Sequence, residues 1–102
     1  MSTGDTGDVQ ARGRERERIL RTFLGPDGRI TSMPAKASKR LPLLDHVAQS
    51  FDVGMRYPES EVDAVLRRFH DDHPALRRYL VEGGFLEREN NIYWRAGGTV
   101  DL

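Results

Sequence analysis

The sequence predicts an α+β fold, mainly helical, from three observations. Residues 58–82 carry two short apolar stripes at helical spacing, separated by a turn of only a few residues. After the second stripe, Gly83-Gly84 stops the helix, and residues 85–95 read as two strands around Asn90-Asn91. Upstream, residues 12–51 add two further helical patterns joined by turn residues and a basic connector.

Residues 1–11 are mostly Gly, Asp, Thr and Ser with little to bury, which predicts a disordered tail. One domain is predicted over 12–97, with a flexible C-terminus at 98–102. Residues 12–21 alternate arginine with glutamate, and Ile19, Leu20, Phe23 and Leu24 supply an apolar stripe, so a helix is expected to end at Gly25-Pro26. Its five arginines read either as a basic arm or, because Glu15 and Glu17 lie among them, as a solvated face with internal ion pairs. Gly25-Pro26-Asp27-Gly28 is a turn, and Arg29-Ile30-Thr31 after it is expected as a short strand paired with the hairpin. The connector 33–40, MPAKASKR, gathers Lys36, Lys39 and Arg40. Leu41, Leu44, Val47, Ala48 and Phe51 predict a helix over 38–51, with Pro42 in its first turn or bending it.

Arg56-Tyr57 is expected as a very short first strand. Pro58, Glu59 and Glu61 suit a helix start, and Val62, Val65, Leu66 and Phe69 form its apolar stripe. Asp72 is the expected N-cap of a helix over 73–82 that buries Leu76, Tyr79 and Leu80. Strands at 85–88 and 92–95 complete the order helix, short strand, helix, helix, hairpin. That order predicts a winged helix-turn-helix with an N-terminal extra helix and a C-terminal β-hairpin wing.

With 102 residues the chain has room for one modest core. Sixteen basic side chains balance sixteen acidic ones, so a nucleic-acid site has to be local. Residues 29–56 hold five basic against two acidic side chains, whereas 57–102 hold six against nine. The absence of cysteine excludes disulfides, thiolate metal sites and cysteine nucleophiles. The polar start is unlike a signal peptide and no apolar run approaches the roughly 20 residues of a membrane span. A cytoplasmic protein is expected.

The MPAK connector, Glu61-Val62, the LRRYLV block over 76–81, GFLER over 84–88 and the IYWR ending come in one order. Together they resemble the bacterial domain-of-unknown-function 2087 family over residues 28–97. Members are often joined to helix-turn-helix regulators, so the resemblance implies a role in transcriptional regulation. Here only the arginine-rich helix precedes the block, and the expectation is binding to nucleic acid either unaided or with a partner.

In helix-turn-helix proteins the second helix enters the major groove. Stepping about 100° per residue from Leu76, Tyr79 and Leu80 points Arg77 and Arg78 outward. Arg78 has Glu82 one turn on, whereas Arg77 has Pro74 and Val81 as its helical neighbours and no local acid, and is the first choice for a contact. Lys36, Lys39 and Arg40 extend the predicted DNA-binding set. Arg88 and Arg95 add phosphate contacts from the wing, or pair across strands with Glu87 or Glu89. Glu59 and Asp63 are expected to face solvent, explained by the helix dipole. His70, Asp71, Asp72 and His73 are a metal-competent cluster, but a tight capped turn explains them without metal, and His46 reads as a surface or half-buried histidine. No serine elbow or phosphate loop is present, so neither enzyme chemistry nor a cofactor is expected. Phe69, Tyr79, Phe85, Tyr93 and Trp94 are read as core rather than as a platform for bases. Double-stranded DNA is the expected partner. The alternative is a protein-interaction module that docks on a regulator or the transcription machinery through Val81, the hairpin and the arginine helix.

Overall fold

A computed structural model describes residues 3–96, with side chains from Gly13 onward. Its elements are α1 (Thr3–Phe23), α2 (Ala37–Ala48), β1 (Arg56–Pro58), α3 (Glu59–Arg67), α4 (His73–Glu82), β2 (Leu86–Glu89) and β3 (Ile92–Arg95). The fold is α+β, with the strands in one antiparallel sheet of order β1-β3-β2. Residues 3–11 of the predicted disordered tail instead continue α1 back to Thr3, and residues 1–2 lie outside the described residues. Extending an existing helix requires no new nucleus, so polar residues join it at lower cost than they could start one. The C-terminus at 98–102 lies outside the described residues. Among the described residues, no helix is long and apolar enough to cross a membrane.

Leu44, Val47, Phe51, Val62, Leu66, Leu76 and Leu80 are buried in one cluster, as their periodicity predicts, together with Ile30, Ala48, Leu86 and Tyr93. Phe69 packs against this cluster partly buried. Two positions in α2 differ from the expected stripe: Leu41 is 47% exposed and Leu43 fully buried. This helix packs against both α1 and α4, so its buried arc is wider than one stripe and is displaced toward Leu43. Arg16 on α1 and Asp45 on α2 pair at 2.9 Å across the first of these contacts.

The segment Arg29-Ile30-Thr31 does not join the hairpin. Its turn, with Gly28 at φ 81°, folds it back on the end of α1. Ile30 bridges Leu24, and the Thr31 N–H donates to Phe23 O at 2.8 Å. Ile30 also donates its N–H to Phe69 O at 2.7 Å, and the Arg29 guanidinium reaches Arg67 O at 2.7 Å and Asp71 at 2.6 Å. The loop after α1 is thereby tied to the turn between α3 and α4.

That turn is built as the sequence predicts. Asp72 caps α4 by accepting from the Ala75 N–H at 3.3 Å. At the other end Gly84 adopts φ 81°, which a side chain resists, and Phe85 N–H closes the helix on Leu80 O at 2.9 Å. The adjoining Gly83 has an ordinary φ but a crowded site: a Cβ there would meet Tyr79 O at 3.1 Å and the Phe85 ring at 3.2 Å. Asn90 alone supplies the positive φ of the hairpin turn, at 59°.

Candidate nucleic-acid interface

Period-2 alternation divides the side chains of β2 and β3 between the two faces of the sheet. Leu86 and Tyr93 face the core, and Arg88, the register partner of Tyr93, shares their face and leans toward α4. A groove of about 420 Å³ separates Arg88 from the exposed side of α4, where Arg77, Arg78, Val81 and Glu82 line it, with Tyr93 between the two sides. Three predicted contacts, Arg77, Arg78 and Arg88, are therefore brought together. Their states differ.

Arg78 and Arg88 are exposed, and Arg88 lies 5.9 Å from the centroid of the Tyr93 ring. Arg77 is not the free contact that its own helix suggests. Its side chain is only 21% exposed, donates to Asp63, and lies 3.9 Å from Glu59. Glu59 and Asp63 are one turn apart on α3 and face α4, not solvent, and Tyr93 Oη donates to Glu59 at 2.8 Å. Burial lowers the proton affinity of Arg77, but the hydrogen bond and charge of Asp63 and the charge of Glu59 outweigh it, so the guanidinium pKa is raised.

Tyr93 is also raised, by burial first and then by its hydrogen bond to Glu59 and the charge there, against smaller opposing effects of Arg88 and Arg77. The sign follows from linkage. An unfolded tyrosine ionises first as pH rises past about 10, so this contribution is complete below that pH and is lost as pH climbs through the folded value. Accordingly, the melting temperature should fall in alkali, and Tyr93→Phe should make that fall shallower. An equal alkaline slope in the two proteins would show that Tyr93 makes no such contribution.

Beside Arg78 on α4, the Tyr79 ring meets arginines from two elements. Arg40 of α2 lies 4.6 Å from its centroid and Arg78 lies 5.7 Å from it. Arg40 also donates to Pro34 O at 3.1 Å and Ala35 O at 2.7 Å, so it holds the connector in place and is only half-buried. Lys36 and Lys39 beside it are exposed. Arg95 is separate from this surface: it turns inward and donates to Phe51 O at 3.3 Å. Of the predicted aromatics, Tyr93 is core and Phe69, Tyr79 and Phe85 pack against it. Trp94 instead lies on the outer sheet face, where Arg56 covers its ring at 4.4 Å and its indole N–H donates to Glu87 at 3.1 Å.

Three of the four side chains in the His70 to His73 cluster have other roles. Asp71 pairs with Arg29, Asp72 caps α4, and His70 Nδ1 accepts from Asp72 N–H at 3.0 Å. Among the described residues, no three His, Cys, Asp or Glu side chains gather to hold a metal. A chelator should therefore leave the melting temperature unchanged. Stoichiometric zinc or iron in protein purified without a histidine tag would overturn that expectation.

The interhelical network of Glu59, Asp63, Arg77 and Tyr93 escapes a reading by helical spacing, because its members come from three elements. The one available signal was the spacing of Glu59 and Asp63, which places two acids on one face of a helix next to another helix. No curated protein and no solved structure matches the chain. A family model does match, over residues 29–95, and the chain belongs to the family described as an uncharacterized protein conserved in bacteria (DUF2087).

Proposed function

We propose that this chain is a non-enzymatic winged-helix module that binds double-stranded DNA in the cytoplasm and has a role in transcriptional regulation. In this reading α3 and α4 are the helix-turn-helix and the β2–β3 hairpin is the wing. The observation that carries it is the placement of two exposed arginines, Arg78 from α4 and Arg88 from the hairpin, on opposite sides of one groove. A helix and a wing that both present arginine to the same space can hold a phosphate backbone from two directions. Lys36 and Lys39 extend the positive surface beyond Arg40 and Tyr79. Arg77 and Arg95 have internal partners and are removed from the contact set.

Titration of a fluorescent duplex at several salt concentrations tests the reading, because phosphate contacts make affinity fall with salt. Absence of binding at low salt would overturn it. The second reading, a protein-interaction module, is supported by the exposed acids Glu82, Glu87 and Glu89 around the same groove and hairpin. Nuclease treatment before capture of this chain from its native cell separates the two: a partner retained after nuclease favours the protein module.

A further inference from the structure

Arg77 immediately precedes Arg78 on α4, and Tyr93 is the register partner of Arg88. The internal network therefore ends next to each of the two exposed arginines. On one side Arg77 is held by Asp63 and lies 3.9 Å from Glu59; on the other, Tyr93 Oη donates to the same Glu59 oxygen at 2.8 Å. Glu59 thus joins α4 and β3 through polar side chains, and it is itself fixed by the backbone, since its N–H donates to Asn91 O at 2.8 Å.

We infer that Glu59, Asp63, Arg77 and Tyr93 are positioning residues that set the separation of Arg78 and Arg88 across the groove. The inference rests on the DNA reading for its use, but not for its test. Arg77 and Asp63 are mostly shielded from water, at 21% and 17% side-chain exposure, so their attraction is screened less than that of a surface pair. The wall formed by α4 would otherwise be free to roll on Leu76 and Leu80, because apolar contacts are not directional. A directional tie to α3, shared with β3, removes that freedom. A phosphate held from two directions needs the two arginines at one spacing, since misplacing a binding group by about 1 Å is enough to lose much of its effect.

The chain has no cysteine, so Arg78→Cys and Arg88→Cys introduce two unique sites for spin labels. The expected distance distribution between them is single and narrow. Glu59→Ala and Tyr93→Phe should each broaden or shift it, whereas Glu59→Gln, which keeps an acceptor for Tyr93, should give an intermediate result. Tyr93→Phe keeps the ring and so guards against loss of the fold in the other variants. An unchanged distribution in cooperatively melting Glu59→Ala and Tyr93→Phe proteins would overturn the inference. In unlabelled protein, Tyr93→Phe should weaken duplex binding by roughly tenfold, the effect of one charge-assisted hydrogen bond between a displaced arginine and phosphate. Equal duplex affinity in Tyr93→Phe and wild type would count against it as well. If wild type binds no duplex, the DNA reading fails while the label distances still decide the positioning role.

Discussion

Replacing Arg78 and Arg88 together with glutamate should abolish duplex binding and leave thermal unfolding cooperative. Both side chains are exposed, so reversing them removes two contacts and adds repulsion without disturbing the core. Four residues of the predicted contact set are exposed, Arg78, Arg88, Lys36 and Lys39, and phosphate contact by these four predicts a wild-type slope of log affinity against log salt of roughly −4. Removing one that touches only phosphate should reduce the slope by about one. If Arg78 reads a base edge instead, its loss should cost about 1–3 kcal/mol on the preferred sequence alone. Arg77→Glu is the wrong probe, because it sets a third carboxylate against Asp63 and Glu59. It should destabilise the fold by more than about 1 kcal/mol, and its effect on binding would follow from that. A double variant that binds duplex as well as wild type would remove the DNA reading.

Truncation of Leu66 or Leu80 to alanine should lower stability by about 2–5 kcal/mol each. Both side chains are fully buried, Leu66 from α3 and Leu80 from α4, so each truncation leaves a cavity where the two helices meet the rest of the core. Denaturant or thermal melts measure it. A loss below about 0.5 kcal/mol at both positions, the size of a surface change, would show that these helices bury other faces.

The contrast between Leu80 and Arg77 shows what sequence reading reaches. The bounds of α4 were legible because Asp72, Gly83 and Gly84 act on their own backbone within a few residues. The burial of Leu76 and Leu80 was legible because an amphipathic helix has one apolar face to cover. The pairing of Arg77 was not, since a helical wheel gives direction relative to the helix and says nothing of what a neighbouring helix presents there. Its partner Asp63 lies 14 residues upstream. Arg95 failed for a related reason: strand alternation places it on the core-facing side with Leu86 and Tyr93, and a charged side chain there turns to the backbone of Phe51. Arg29 was read as part of a strand, whereas its structural partners, Arg67 and Asp71, are about 40 residues away in the chain. Arg78 is exposed, as the helical spacing predicts, and so is Arg88, for which the spacing left a cross-strand pair open; only the packing of the hairpin against α4 places the two on one groove.

The strand order has a consequence for how the molecule is made. The strand between β1 and β2 is β3, the last of the three to be synthesised, so neither outer strand has a sheet partner until residues 92–95 have left the ribosome. The helices can gather earlier around Leu44, Leu66 and Leu80, because their hydrogen bonds are local. Until then Leu86 and the backbone of β1 have no sheet to join, and a nascent chain stalled before Ile92 exposes both to other chains. The hairpin thus completes the sheet as well as forming one wall of the groove, and Arg78 and Arg88 line that groove together only once residues 92–95 have left the ribosome.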